Sequence, residues 1–309
     1  MQTIYSFYQG GDLDIAKSEK ELLYSIQKSY DLYFFLLLLG CDVCDYARQV
    51  INTQKQKLRP TEQDLNPNLK FVNNKFIAQF RENEQFKTRI NSTKLSWTNN
   101  PELPKRIFNT LKQTDEYVEY MNKETNTYDD DKKIISFMYK TVIYDCDLLY
   151  QILEEMSIYW IDTVEFIIGM VLRTIERYKI GYDNSYALPG MYKSDDDRDF
   201  VIKLFRTTIA KGDKYKDLIS EYTKNWDIER IAFFDILILQ TALSEVEMFP
   251  EIPLKVTFNE YIELAKNYST TKSSTFVNGV LDKIVAELIS TGKIKKIAEM
   301  PNNINTNEE

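Results

Sequence analysis

The pattern of hydrophobic and polar positions over residues 226–288 predicts three consecutive helices. The first is predicted over 227–247, because the Asp227 side chain can accept hydrogen bonds from the backbone N–H groups that follow it. Two prolines then break the chain, and the second helix is predicted over 257–268, opened by a capping box between Thr257 and Glu260. The third opens within 271–274 and carries an apolar stripe at helical spacing: Phe276, Val277, Val280, Leu281, Ile284, Val285, Leu288 and Ile289.

Earlier parts of the chain show the same periodicity, so the whole protein is predicted to be all-α. Helices are predicted over 1–9, 17–39, 45–57, 69–90, 104–121, 131–145, 147–157, 159–179 and 213–224. Gly40 is expected to interrupt the pattern, and the stretch 181–197 is the best candidate for a domain boundary because it combines Gly, Pro, Asn and acidic residues. We therefore predict an N-terminal helical domain over 1–190, a helical bundle over 191–300 and a disordered tail over 301–309.

The composition is that of a helical, globular protein. The 309 residues are 43% hydrophobic and include only nine Gly and eight Pro, while long stretches are rich in Leu, Ile, Lys and Glu. The apolar run Leu32–Leu39 is too short to span a bilayer, which takes about 20 residues. No basic segment precedes that run as in a secretory signal, so we expect a cytoplasmic protein.

The residue types limit the chemistry that the chain can perform. It has no histidine, which removes the commonest general base, imidazole-based triads and most transition-metal sites. It also shows no Gly-rich phosphate loop, so we expect neither catalysis nor a cofactor. The net charge of −8 argues against a general nucleic-acid coat, and any RNA binding is expected to be local and shared with a partner.

Two clusters contain residue types that can bind metal ions, but a structural role is the preferred interpretation of each. Cys41 and Cys44 have the spacing of zinc ligands, but a zinc site needs four ligands and the chain offers only Cys146 besides them. Reduced thiols on a helix are the preferred interpretation. Asp195–Asp197 are interpreted as negative charge at the N-terminus of a helix that begins near Arg198, rather than as a cation site.

The segments Phe258–Lys266 (FNEYIELAK) and Phe276–Asp282 (FVNGVLD) closely resemble the C-terminal signature of the NusB family of bacterial antitermination factors. Asp227–Arg230 (DIER) with Asp235, and Glu245 ahead of Ile252-Pro253, also match that family in order and spacing. The resemblance covers roughly residues 199–288 and, in part, the first nine residues. The long N-terminal half is similar to that of the long, Bacteroidetes-type members.

This resemblance implies a fold, a function and partners. The fold would be a NusB-like helical bundle packed on an enlarged helical N-terminal domain. The function would be binding of a boxA-type single-stranded RNA together with NusE, a small-subunit ribosomal protein. That complex would join the RNA polymerase antitermination complex, without a membrane, and suppress termination in ribosomal RNA operons.

Asp235 is the only charged residue between Ile231 and Leu239. It either marks the solvent side of a buried helix or lies in an apolar interface with a polar partner. The second interpretation is preferred, because a helix that is apolar nearly all round leaves little solvent side. The resemblance assigns the matching acidic position to the NusE contact, and we expect Ile231 and Ile238 to join it.

Phe276 lies in the predicted first turn of the third helix, where it either packs in the core or stacks on an RNA base. The resemblance places the matching Phe in the RNA-contact region. Lys272 adds a phosphate donor there, and we expect Ser273 beside it to belong to the same RNA contact. We also expect Tyr5, on the first helix, to lie where the family's RNA and partner surfaces meet.

One departure from the family concerns its Arg-rich segment, which precedes the first helix and grips the RNA backbone. In this chain the first basic residue is Lys17. We expect either that the start was placed at an internal Met or that this RNA contact has been lost. Two alternative functions stay open: an interaction scaffold that keeps NusE but not RNA, and a NusB-like domain associated with RNA methyltransferase activity, for which no strand–Gly-rich-turn–helix pattern is present.

Overall fold

Helices make up all the regular structure in the residues that the computed structural model describes, which are 1–10, 14–223 and 231–296. In chain order they are α1 (Gln2–Gln9), α2 (Ile15–Lys55), α3 (Glu62–Leu65), α4 (Lys75–Arg81), α5 (Glu84–Thr93), α6 (Glu102–Leu111), α7 (Asp115–Asn122), α8 (Tyr128–Phe137), α9 (Asp147–Met156), α10 (Val164–Arg177), α11 (Asp195–Ala210), α12 (Gly212–Tyr222), α13 (Phe233–Met248), α14 (Leu254–Tyr268) and α15 (Ser273–Ser290). A π-helical turn, Met138–Ile143, follows α8. The predicted all-α fold is confirmed.

The chain divides into two compact units. The terminal unit contains Met1–Leu23 and the chain from Tyr192 onward, and the central unit contains Tyr24–Met191. The predicted domains, 1–190 and 191–300, stay a prediction, because packing alone does not show which parts fold independently. The predicted tail, 301–309, lies outside the described residues.

Helix α13 is the centre of the terminal unit, and α11, α12, α14 and α15 all pack against it. Every residue from Asp235 to Val246 is buried, as its nearly continuous apolar sequence requires. A smaller cluster of Ile4, Phe205 and Leu237 joins α1, α11 and α13. The predicted cap at Asp227 lies outside the described residues.

Helix α15 carries the predicted apolar stripe, which is confirmed. Five of its positions are buried in the core of the terminal unit and three are partly buried against it: Val277, Val280, Leu281, Ile284 and Val285 in the first group, and Phe276, Leu288 and Ile289 in the second. The helix ends at Ser290, and Gly292 follows with a φ of +69°, a left-handed conformation that suits glycine at a helix C-terminus.

Helix α14 begins one turn earlier than the sequence pattern predicts. Pro253 precedes its first residue with φ at −60°, so the chain enters the helix at Leu254. Thr257 therefore lies inside the helix, fully buried, and its hydroxyl has no hydrogen-bond partner among the described residues. The predicted Thr257–Glu260 capping box is wrong.

The core of the central unit includes the second half of α2. The apolar run Leu32–Leu39 lies almost entirely inside that core, where it packs with Trp97, Tyr139 and Ile168 among others. Across the described ranges, no helix combines the length and the apolar character that crossing a membrane requires.

Helix α2 passes through Gly40 without a break, so the predicted interruption there is wrong. The Tyr139 hydroxyl donates to the Leu36 carbonyl at 2.6 Å and accepts from the Gly40 N–H at 3.0 Å. A Cβ at position 40 would lie 2.5 Å from that hydroxyl oxygen. Glycine is present because another side chain approaches the helix backbone, and not because the helix ends.

Two predicted helices are each divided by a polar cap. The segment 69–90 contains α4 and α5, because the Asn83 side chain accepts from the Phe86 N–H at 3.0 Å and starts a new helix. The segment 104–121 contains α6 and α7, because the Thr114 hydroxyl accepts from the Tyr117 N–H at 3.3 Å. A continuous amphipathic pattern conceals such caps.

The cysteine cluster is buried in a helix, and an aspartate of the Asp cluster caps a helix. Cys41 and Cys44 are buried on α2 as free thiols, and burial raises the pKa of Cys41 to about 12. Asp197 caps α11 by accepting from the backbone N–H groups of Lys193 at 2.8 Å and Ser194 at 3.4 Å. In the described ranges, no group of three carboxylate or thiol side chains is placed to hold a metal ion.

Candidate functional site

Five of the six predicted site residues of the C-terminal stretch line one cavity in the terminal unit, with a volume of about 920 Å³. Three parts of the chain line it: the end of α12, the first turn of α13 with the two residues before it, and the first three turns of α15 with the turn before them. The lining residues are Tyr222, Thr223, Ile231, Ala232, Asp235, Thr270, Thr271, Lys272, Ser273, Thr275, Phe276, Gly279, Val280 and Lys283.

A hydrogen bond between two buried side chains joins α13 to α15 beside this cavity. The Ser273 hydroxyl donates to Oδ2 of Asp235 at 2.8 Å. Asp235 is 5% exposed and Ser273 is 2% exposed, so water competes little for this bond. The other carboxylate oxygen of Asp235, Oδ1, is buried and has no partner among the described residues.

The same hydroxyl organises the turn that leads into α15. It accepts from the Thr270 N–H at 3.2 Å and lies 2.8 Å from the Thr270 hydroxyl and 3.0 Å from the Ser269 hydroxyl. A hydroxyl has one donor and two acceptor positions, and the carboxylate of Asp235 is the strongest acceptor in reach. Ser273 therefore ties the turn before α15 to the first turn of α13.

Besides the buried Ser273, the other two predicted RNA-contact residues of this stretch, Lys272 and Phe276, lie at the cavity. Lys272 is exposed at the N-terminal end of the helix, and Phe276, one turn later, is partly buried against the core. Phe276 packs on the core and also lines an open cavity, and its stacking on an RNA base stays a prediction. Lys283, two turns further on, is exposed and lines the cavity too, so two basic residues line this space. Positive charge at this cavity contrasts with the net charge of the chain.

The three predicted partner-contact residues lie at different depths. Ile231 is half-buried and lines the cavity, whereas Asp235 lies deeper with little exposed area. Ile238 is fully buried in the core of the terminal unit, one turn below. Ile231 is thus the most accessible of the three, and Ile238 supports the wall from inside.

Tyr5 is not one of the residues that line the cavity, but it belongs to an aromatic cluster on α1, α13 and α14. Its ring stacks on Phe234 with centroids 4.8 Å apart and planes 5° apart, and Phe233 meets it edge-on at 5.7 Å. Phe234 also stacks on Tyr268 at 6.3 Å, and Phe233 contacts Tyr8 at 6.4 Å. All five rings keep some exposed area, and Phe233 is 37% exposed.

Sequence reasoning missed Lys283 and the aromatic partners of Tyr5. Lys283 lies eleven residues after Lys272, which is three helical turns, so its position on the same face of α15 could have been predicted. The Phe233-Phe234 pair was a visible signal as well. Its contact with Tyr5 joins two distant parts of the chain, which one sequence cannot reveal.

Comparison with known proteins gives the site a context. The chain matches the family model described as the NusB family over residues 169–286, a range that contains every predicted site residue except Tyr5. It is 43% identical over 99 residues to the transcription antitermination protein NusB of Salinibacter ruber, covering 32% of this chain and 62% of that protein. The protein of the same name from Thermodesulfovibrio yellowstonii is 38% identical over 101 residues, covering 33% and 67%.

A third relative, the transcription antitermination protein NusB of Chloroherpeton thalassium, is 37% identical over 99 residues, covering 32% of this chain and 47% of that protein. The chain therefore spans about half to two thirds of the length of these relatives. No solved structure matches the chain.

Proposed function

The chain belongs to the NusB family, and on that premise we propose that it acts in transcription antitermination by binding a boxA-type single-stranded RNA together with NusE. It would do so in the cytoplasm, within an RNA polymerase antitermination complex, and without making or breaking a bond. The observation that carries this proposal is the cavity at the start of α15. One phenylalanine and two lysines line it at positions that share one helix face, in a chain of net negative charge.

The RNA is proposed to meet α15 at its N-terminal end. Phe276 offers a ring for base stacking, which is worth about 1–3 kcal/mol per base and tolerates many sequences. Lys272 and Lys283 offer ammonium groups to phosphates on either side of it. Ser273 is buried and fixes the position of this turn, so its role is proposed to be indirect.

NusE is proposed to meet the opposite wall, where Ile231 lines the cavity. Asp235 links this side of the cavity to α15 through its hydrogen bond with Ser273, and Ile238 packs in the core on the same helix. The aromatic cluster around Tyr5 extends the surface, and Tyr and Phe rings are frequent anchors of protein interfaces.

The RNA contact is tested with the Phe276→Ala variant and with Phe258→Ala as its control. Both rings are partly buried against the same core, but Phe258 lies on α14 and is not among the residues that line the cavity. With NusE present, Phe276→Ala is expected to weaken boxA RNA binding about tenfold. Phe258→Ala is expected to lower stability without that loss. Equal losses of RNA affinity in the two variants would assign Phe276 to the core alone.

The NusE contact is tested with Ile231→Ser, and with Val256→Ser as its control. Val256 is 47% exposed on α14 and is not among the cavity-lining residues. Ile231→Ser is expected to weaken NusE binding, measured by calorimetry without RNA, while Val256→Ser leaves it unchanged. NusE binding without any RNA binding would favour the interaction scaffold instead.

A further inference from the structure

The connection between α9 and α10, in the central unit, exposes an unusual amount of apolar surface. Four large hydrophobic side chains within residues 154–166 are exposed: Met156 at 46%, Ile158 at 73%, Ile161 at 47% and Phe166 at 65%. Scattered single exposed hydrophobic residues are ordinary, but a group within one helical connection is typical of an interaction surface. We call residues 154–166 the α9–α10 patch.

The charged residues of this chain segment are all acidic. Between Lys140 and Arg173 the chain carries no Lys or Arg and six carboxylates: Asp145, Asp147, Glu154, Glu155, Asp162 and Glu165. The last four of them are exposed and lie within the patch itself. Lys28 approaches from α2, where its ammonium group lies over the Tyr24 ring and 3.7 Å from the Asp31 carboxylate. The patch therefore has exposed apolar groups and an acidic rim.

The backbone of the patch is held in place from below. The Trp160 indole N–H donates to the Lys28 carbonyl at 2.8 Å, and Trp160 itself is 4% exposed. Leu153 and Val164, at the two ends of the connection, are each 1% exposed. Because this inner layer is already filled, Ile158 and Phe166 have no core space to enter, and their exposure is a property of the folded state.

The charge of the rim selects among the occupants that could cover such a patch. Nucleic acid and anionic membrane surfaces are repelled by four exposed carboxylates. A second copy of this chain, docked through the same patch, would place like charges against each other. A basic partner would bury the apolar groups and pair with the rim at the same time.

We propose that the α9–α10 patch is the docking surface for a basic amphipathic helix of a partner protein. The apolar face of that helix would cover Ile158 and Phe166, and its Lys and Arg side chains would pair with the surrounding carboxylates. The proposal is independent of the RNA and NusE assignments, since it concerns the other unit of the chain.

The test uses the full chain and three synthetic peptides followed by fluorescence anisotropy. The first peptide is a helix of Leu and Lys with Leu at i, i+3, i+4 and i+7 spacing. The second has the same composition in an order that removes the apolar face, and the third replaces every Lys with Glu. Only the first is expected to bind well, and its affinity is expected to fall as salt is raised.

Two variants of the patch and two matched controls locate the binding. Ile158→Asn with Phe166→Asn removes the apolar groups, and Glu154→Lys with Glu155→Lys reverses part of the rim. Each is expected to weaken binding of the basic amphipathic peptide at least about tenfold. The controls change surfaces of the same unit elsewhere: Ile180→Asn, at a residue 71% exposed, and Glu116→Lys with Glu119→Lys, at two exposed acids of α7. Both are expected to bind as the unaltered chain does.

Several results would overturn the proposal. Equal binding of the peptide without an apolar face would show that net charge alone causes the attraction. Control variants that lose as much affinity as the patch variants would show that the peptide does not bind at the patch. A dimer in sedimentation that Ile158→Asn with Phe166→Asn dissociates would assign the patch to a second copy. Circular dichroism and urea unfolding of each variant establish that lost binding is not lost folding.

Discussion

The Ser273 hydroxyl donates a hydrogen bond of 2.8 Å to the Asp235 carboxylate, and both side chains are buried. The sequence predicts an RNA contact for Ser273 and a protein-partner contact for Asp235. The structure joins the two residues by one hydrogen bond at the cavity that Lys272, Phe276 and Ile231 also line. A change on either wall can therefore reach the other through this bond.

The first prediction concerns Ser273→Ala. The substitution removes the donor to Asp235 and the acceptor for the Thr270 N–H, and it leaves a buried carboxylate without that donor. We expect the free energy of unfolding to fall by about 2–3 kcal/mol, as for a hydrogen bond to a charged group. Urea unfolding measures this change.

The control for that prediction is Ser274→Ala, at the next position of the same helical turn. Ser274 is half-buried, and we expect its substitution to change stability by less than about 0.5 kcal/mol. Equal effects at the two positions would contradict a special role for the Ser273–Asp235 bond. A double-mutant cycle with Asp235→Ala is expected to give a coupling energy of about 1–3 kcal/mol.

The second prediction concerns Gly40 and Tyr139. Gly40→Ala places a Cβ 2.5 Å from the Tyr139 hydroxyl oxygen, so we expect a loss of about 1–3 kcal/mol although alanine favours helices. Tyr139→Phe alone loses the bonds to Leu36 and Gly40. The double variant is expected to cost less than the sum of the single variants, because the methyl group takes space that the hydroxyl has left. Additive costs in thermal unfolding would contradict this account of Gly40.

The third prediction concerns pH. Burial, together with the nearby Asp45 carboxylate, raises the pKa of Asp42 to about 6, against the opposing effect of Arg81. Between about pH 4 and pH 6 the folded chain then binds more protons than the unfolded chain, so this group lowers the free energy of unfolding as pH rises through that window. Above pH 6 the destabilising effect is complete.

Asp42→Asn removes this effect. We expect the variant to be about 1–3 kcal/mol more stable than the unaltered chain at pH 7.5, and close to it at pH 4. Urea unfolding at the two pH values gives the comparison. A stability difference that does not change with pH would show that Asp42 is charged in the fold without penalty.

The strongly periodic elements of the fold could be predicted from the sequence. The stripe from Val277 to Val285 satisfies helical spacing at every buried position, and the resemblance to the NusB family is confirmed by the family match. Gly40 has a structural role that the sequence alone does not reveal. A glycine in a helical pattern normally indicates a less stable helix. Here the missing side chain of Gly40 leaves room for the Tyr139 side chain, which lies about a hundred residues away in sequence.

The sequence can identify candidate site residues, but it does not say how deeply each one is buried. Lys272 and Phe276, which are assigned to RNA, and Ile231, which is assigned to NusE, lie at one cavity, but their roles in binding stay a prediction. The burial of Ser273 and Ile238 depends on how α13 and α15 pack together. Periodicity assigns a residue to a face of its own helix, and it does not say how deeply a neighbouring helix covers that face.

The most direct test of the proposed function is a titration of labelled boxA RNA with this chain and NusE at several salt concentrations, read by fluorescence anisotropy. We predict that boxA RNA binds more tightly than a permuted RNA of the same length. Lys272→Ala is predicted to reduce the salt slope by about 0.7, the contribution of one phosphate contact on a single strand. Equal binding of the boxA and permuted RNAs at every salt concentration would contradict the account.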